Sequence, residues 1–198
     1  AEKGSKSMLR TSTAYSGGSF YTRLFASLDL GFQLPINHFS IWLRSSAGHS
    51  LSDEFNPFTR FGFASFGNNY IDYQSARRYR NPFSFPGVSF DSDRTIIAQT
   101  FGKSTLELVF PPIRFRELGG LNFYSNWMQF TLFTSGLATR DKLAMSNRFI
   151  TAGSQLDFKI VIFSLLESTL SIGYANAFDV MDNNRKYDEW MVSLKLLK

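Results

Sequence analysis

The chain of 198 residues contains no cysteine, which excludes disulfides and thiolate metal sites. It has only two histidines, His38 and His49, and their separation gives no two-histidine metal spacing. No apolar run approaches the roughly 18 to 20 residues that a spanning helix needs, and no segment has a helical period. Gly-rich phosphate-binding loops are also missing, since Gly17-Gly18 and Gly119-Gly120 read as turns. The opening AEKGSKSM has no charged-then-apolar leader, as expected of a mature form or an excised piece.

What the chain has in excess is phenylalanine, 22 in all, with aromatics at 17%. Mean hydropathy is nevertheless only −0.13. Many rings without long apolar runs are what alternating strands produce, where every second residue meets core or lipid. The net charge of +5 would permit a nucleic-acid partner. Yet the cations are scattered, with Arg77-Arg78-Tyr79-Arg80 as the one tight cluster, so a mildly basic surface and no nucleic acid is the expectation. One domain over residues 1–198 is the default for this length.

Taken in order, residues 5–15 form a weakly alternating strand, and Ser16-Gly17-Gly18-Ser19 a tight turn. From Phe20 to Leu34 the period is two. Phe20, Leu24, Leu28 and Phe32 share one face, with Tyr21, Arg23, Ser27 and Asp29 on the other. This is about three times the usual strand length of a globular protein. Further strands are expected at residues 39–47, 58–66, 95–110, 121–135, 149–163 and 169–178, and over Trp190, Val192, Leu194 and Leu196. Pro111-Pro112 should stop pairing. Residues 136–147 and 179–188 read as polar connections.

Residues 67–94 break this rhythm. The stretch is long, basic and aromatic, with Arg77, Arg78 and Arg80 ahead of the turn formers Asn81-Pro82 and Phe85-Pro86-Gly87. Disordered segments are poor in rings, so an ordered loop is expected. Strands this long, polar on one face and apolar on the other, predict an antiparallel transmembrane β-barrel rather than a soluble sandwich. About eight or nine strands come from this chain. An eight-stranded barrel is filled by its own side chains; a loop folded inside therefore predicts a wider barrel with other strands, from a missing N-terminal part or a second chain.

The segments FGFASFGNNYIDYQ, RRYRNPFSFPGVSF, KSTLELVFPPIRFRELGG with NFYSNW, STLSIGYANAFD and DEWMVSLKLL carry a likeness. Their order resembles the C-terminal barrel half of the bacterial surface antigen superfamily, the BamA- and TamA-like outer-membrane proteins. It is most similar to the barrel of surface antigens that carry a β-propeller. The resemblance implies a sixteen-stranded barrel in the outer membrane of a Gram-negative bacterium, with the C-terminus in the periplasm. It implies a role in protein assembly, export or surface anchoring, an outer-membrane lipid environment, and a periplasmic or propeller partner. It also implies no cofactor and no catalysis. The terminal strand of Trp190, Val192, Leu194 and Leu196 would be one lip of a seam.

The family's long loop folds into the barrel and sets an arginine against acidic residues of the inner wall. Here Arg77, Arg78, Arg80, Phe85 and Gly87 stand in the loop as anchor candidates, and Glu107 and Asp157 face inward by strand parity. Such a pairing gains charge-assisted hydrogen bonds. Other readings are a purely structural membrane anchor or pore for a partner subunit, and a barrel-embedded lipid hydrolase using Ser50 beside His49. The run Asp179, Asp182, Asn183, Asn184 lacks the spacing and closing glutamate of an EF-hand, so no metal is expected. Trp42, Trp127 and Trp190 are expected in interfacial belts.

Overall fold

The computed structural model describes residues 3–16, 19–36, 38–52, 59–63, 65–66, 71–72, 77–88, 96–120, 122–141, 147–163, 166–181 and 186–196. Twelve strands appear in chain order. They are β1 (Gly4–Ser16), β2 (Ser19–Gln33), β3 (Ser40–Ser50), β4 (Phe61–Phe63), β5 (Ile71–Asp72) and β6 (Ile96–Ala98), then β7 (Thr100–Val109), β8 (Ile113–Gly120), β9 (Phe123–Arg140), β10 (Asn147–Ile162), β11 (Leu166–Asp179) and β12 (Lys186–Leu196). The described chain is all-β apart from a 3₁₀ turn at Arg78–Arg80, a 3₁₀ residue at Thr59 and isolated turns.

Ten strands form one sheet in the order β1-β2-β3-β7-β9-β10-β11-β12-β5, with β8 also on β9. Its neighbours are antiparallel, except that β5 pairs in parallel with β12 at Leu194 and Lys195. Strands β4 and β6 make a separate two-stranded ribbon. Among the described residues the two ends of the large sheet do not pair with each other, so the sheet is not closed.

The period of two becomes two different faces. In β7, Phe101, Lys103, Thr105, Glu107 and Val109 are buried, while Gly102, Ser104 and Leu106 are exposed. In β9, Thr131, Phe133, Ser135, Leu137 and Thr139 are buried against exposed Leu132, Thr134 and Ala138. The buried face is covered by the segments between β3 and β7, and its core holds Phe25, Phe61, Phe63, Phe85, Phe101 and Phe149. The opposite face carries exposed Leu24, Leu28, Phe32, Leu106, Leu132, Ile150 and Trp190.

Several expected boundaries move. The diproline ends the β7 ladder at Val109↔Thr131, but β8 then resumes pairing on the same edge of β9 from Ile113↔Met128. Proline removes a donor locally and does not stop the chain from returning to the ladder two residues later. The polar stretch from Gly136 belongs to β9 as far as Arg140, because Leu137 and Thr139 point into the core. The expected 95–110 strand bends at Gln99, whose side-chain amide donates to the Ser50 and Ser52 carbonyls at 3.2 and 3.0 Å. The expected 58–66 strand is reduced to β4.

Two of the three tryptophans leave the expected belt. Trp42 lies opposite Gly31 and Glu107 on the buried face. Its ring occupies the space a side chain at Gly31 would need, 2.6 Å from an ideal Cβ there. Trp127 shares the parity of Gln129 and Thr131 and faces the same way. Trp190 faces out, 61% exposed, against the Tyr174 ring at 4.7 Å.

Candidate functional site: a loop pinned to an acidic wall

Residues 67–94 were expected as one ordered loop; of these, 67–70, 73–76 and 89–94 lie outside the described residues. Of the described parts, 71–72 form β5 and 77–88 packs on the buried face. A 3₁₀ turn closes where the Arg80 amide donates to the Arg77 carbonyl at 3.0 Å. Positions i and i+3 eclipse in a 3₁₀ turn, so Arg77 and Arg80 project together.

Both reach Glu107, which is fully buried on β7. Arg80 Nε donates to both carboxylate oxygens at 3.1 Å, and its Nη2 contacts Oε1 as well. Arg77 Nη1 lies 3.5 Å from Glu107 Oε1, while its Nη2 makes the shorter contact, 2.8 Å to Asp157 Oδ2. The same guanidinium donates to Thr131 Oγ1 and Gln129 Oε1, each at 2.6 Å. Both anticipated carboxylates therefore meet the loop, Glu107 through two arginines and Asp157 through one.

Three further members join them, Arg44 and Asp29 from the strands and Tyr79 from the loop. Arg44 on β3 donates from Nε to Glu107 Oε2 at 3.1 Å and from Nη1 to Asp29 Oδ2 at 2.9 Å. Tyr79 donates its hydroxyl to Glu107 Oε1 at 2.7 Å. The network thus sets three guanidiniums, Arg44, Arg77 and Arg80, against three carboxylates, Asp29, Glu107 and Asp157. Buried charge is tolerated when it is paired and hydrogen-bonded on all sides. Desolvation pushes the Tyr79 phenol up to about 12, so it is a donor at ordinary pH.

Downstream, Phe83 N donates to Asn81 Oδ1 at 3.0 Å, an Asx turn that bends the chain. Lys103 holds that bend, donating to the Asn81 carbonyl at 2.9 Å and also to the Ser84 carbonyl. Phe85 is buried edge-on to Phe149. The Pro86 carbonyl accepts from Thr151 Oγ1 at 2.6 Å. Gly87 has φ +94 and sits so close to β11 that a Cβ would lie 2.8 Å from the Ala177 nitrogen. Its amide, and that of Phe66, each donate to Glu189 Oε2 on β12 at 3.0 Å.

The backbone of Arg78 completes the turn, but its side chain lies outside the described residues, as does that of Leu196. Of the terminal strand, Trp190 and Val192 are exposed and Leu194 is half-buried. Lys103, Glu189, Arg44 and Asp29 were not singled out from the sequence. Strand parity could have nominated all but Glu189, which stands between the stretch read as connection, 179–188, and the strand read from Trp190.

The network has no nucleophile paired with a base; it holds a segment in place. His49 is exposed and bonds Thr100 Oγ1 at 2.8 Å, while its neighbour Ser50 is buried on the other face. His38 lies in the turn before β3, beyond the opposite end of that strand. Among the described residues no group of three His, Cys, Asp or Glu could hold a metal ion. Of the acidic-amide run, Asp179 accepts from the Met181 amide at 2.9 Å, and residues 182–184 lie outside the described residues. Compared with models of protein families, with characterised proteins and with solved structures, the chain matches none.

Proposed function

We propose that the chain forms part of the wall of an outer-membrane β-barrel of the surface antigen type, acting in protein assembly, export or surface anchoring. The observation that carries this reading is the pairing of two unlike faces on long strands. One face sets Leu24, Leu28, Phe32, Leu106, Leu132 and Ile150 in contact with the surroundings. The other buries a neutralised charge network and a folded loop. Hydrocarbon favours the first, and a lumen accommodates the second. Backbone groups in lipid must all be paired, so the sheet closes with additional strands. The loop supports this, because it needs more interior than eight strands leave. In this reading β12 is one lip of the seam, and a client strand joins by edge pairing along the part of β12 that β5 leaves unpaired, ahead of Leu194.

The membrane part is tested by purification with and without detergent and by heat-modifiable gel mobility. A monodisperse, folded monomer in detergent-free buffer would overturn it. The role is tested by depleting the protein from its host. Falling levels of other outer-membrane barrels indicate assembly; unchanged barrels with loss of a surface-displayed domain indicate anchoring.

A further inference from the structure

A second set of arginines, Arg10, Arg23 and Arg60, lies apart from the Glu107 network, and among the described residues only Arg60 of the three is ion-paired. A cavity of about 540 Å³ opens between β1, β2 and the loop bend, lined by Arg10, Arg23, Arg60, Phe25, Phe61 and Phe83. In the β1–β2 ladder Arg10 faces Phe25 and Arg23 faces Ser12, so the two residues are diagonal neighbours on one face, and both line the cavity. Diagonal neighbours in an antiparallel pair lie within reach of long side chains, and like charges brought together there repel. Arg60 pairs with Asp141 at 3.2 Å. Among the described residues no carboxylate stands within ion-pair distance of Arg10 or Arg23, in contrast to the three-to-three balance around Glu107.

Arg23 is also positioned. Its Cζ lies 5.8 Å from the centre of the Phe61 ring, and Nη1 donates to the Arg60 carbonyl at 3.4 Å. These contacts leave other donors of its planar fork for a ligand. Below it the rings form a continuous surface: Phe25 and Phe83 lie 5.3 Å apart, and Phe61 stacks on Phe83 at 6.0 Å.

The geometry points to a binding site for an amphiphilic phosphate monoester. Its phosphate bridges Arg10 and Arg23, and its apolar portion lies on Phe25, Phe61 and Phe83. A phosphate monoester carries about −1.5 to −2 charges near neutral pH, which matches two guanidiniums, and its oxygens suit the arginine fork. The cavity volume falls within the range of sites for small organic ligands and exceeds what a bare phosphate needs. The site stands on the cavity alone, whether or not the outer face meets lipid.

Three water-soluble probes at constant ionic strength test it by calorimetric titration of the full chain, folded in a neutral amphipol with its strand content verified. The probes are hexyl phosphate, hexanol and inorganic phosphate. Hexyl phosphate is expected to bind at least about tenfold more tightly than either of the others, and Arg10→Gln or Arg23→Gln to weaken it by about tenfold. Protease protection of residues 77–88 stays unchanged in both variants, since neither touches Glu107. Equal binding by wild type and both variants overturns the site, as does hexanol binding as tightly as its phosphate. Inorganic phosphate binding as tightly as hexyl phosphate keeps the arginine pair as an anion site and overturns the apolar half.

Discussion

The Tyr79 ring lies flat on the Phe133 ring, centroids 4.4 Å apart and planes within 5°, while its hydroxyl donates to Glu107. The stack fixes the height of the loop above β9, and the hydroxyl fixes its rotation toward β7. Separate substitutions resolve the two parts. Tyr79→Phe keeps the stack and removes a bond to a charged acceptor, for an expected loss of about 1.5–3 kcal/mol. Tyr79→Ala also empties the buried volume and should cost about 3–5 kcal/mol. Denaturant midpoints for the two variants check the order, and equal losses would show that the ring contributes nothing.

Glu107 contacts three guanidiniums at once, so its removal leaves buried charge unpaired. Glu107→Gln is expected to lower stability by about 3–5 kcal/mol and to open residues 77–88 to trypsin. Asp157→Asn should cost less, because Arg77 retains Glu107, Thr131 and Gln129. Unfolding curves and limited proteolysis measure both, and a Glu107→Gln protein as stable as wild type would remove the network from the account of the fold.

The Tyr79 phenol, raised from about 10 to about 12 by desolvation, gives a pH signature. Below about pH 10 the group is protonated folded and unfolded, and its contribution is constant. Between about 10 and 12 the unfolded chain releases the proton more readily, so stability falls as pH rises. The difference in unfolding free energy between wild type and Tyr79→Phe should shrink over that window. A difference that stays flat to pH 12 contradicts it.

Gly87→Ala adds a methyl group where the Ala177 backbone nitrogen would be 2.8 Å away, at φ +94. The strain is expected to exceed about 1 kcal/mol and to fall on the loop. Proteolysis within 77–88 should accelerate while the far-ultraviolet strand signal persists. If both are unchanged, the close approach to β11 does not hold the loop.

Leu132 stands exposed near the middle of β9. In a bilayer, Leu132→Lys is expected to cost about 2–4 kcal/mol. On a water-exposed face the same change stays within about 0.5 kcal/mol. Folding titrations in lipid vesicles discriminate between these two outcomes.

Much of this architecture was legible because burial on one face writes a period of two into the chain, as at Leu24, Leu28 and Phe32 against Tyr21 and Phe25. The method weakened where the outward side is small or polar. Gly136 and Ala138 hid the upper end of β9, and β8 was hidden by the diproline that precedes it. Parity also placed Glu107 and Asp157 on the correct face. It could not supply their partners, because Arg44 meets Glu107 across 63 positions of chain and Arg77 meets Gln129 across 52. Those pairings follow from sheet order, which no local pattern encodes.

Glu189 accepts from amides 102 and 123 positions earlier in the chain. Contacts of such sequence separation form late, since loop-closure entropy must be overcome before they reward the fold. The acceptor sits on β12, so the hook for residues 66 and 87 is missing until the last strand is in place. Seating of the loop thus reports that the sheet has been completed. A chain arrested before β12 pairs should show a cleavable loop on an otherwise hydrogen-bonded sheet, and pulse proteolysis during refolding would register protection of 77–88 after that of β9 and β10.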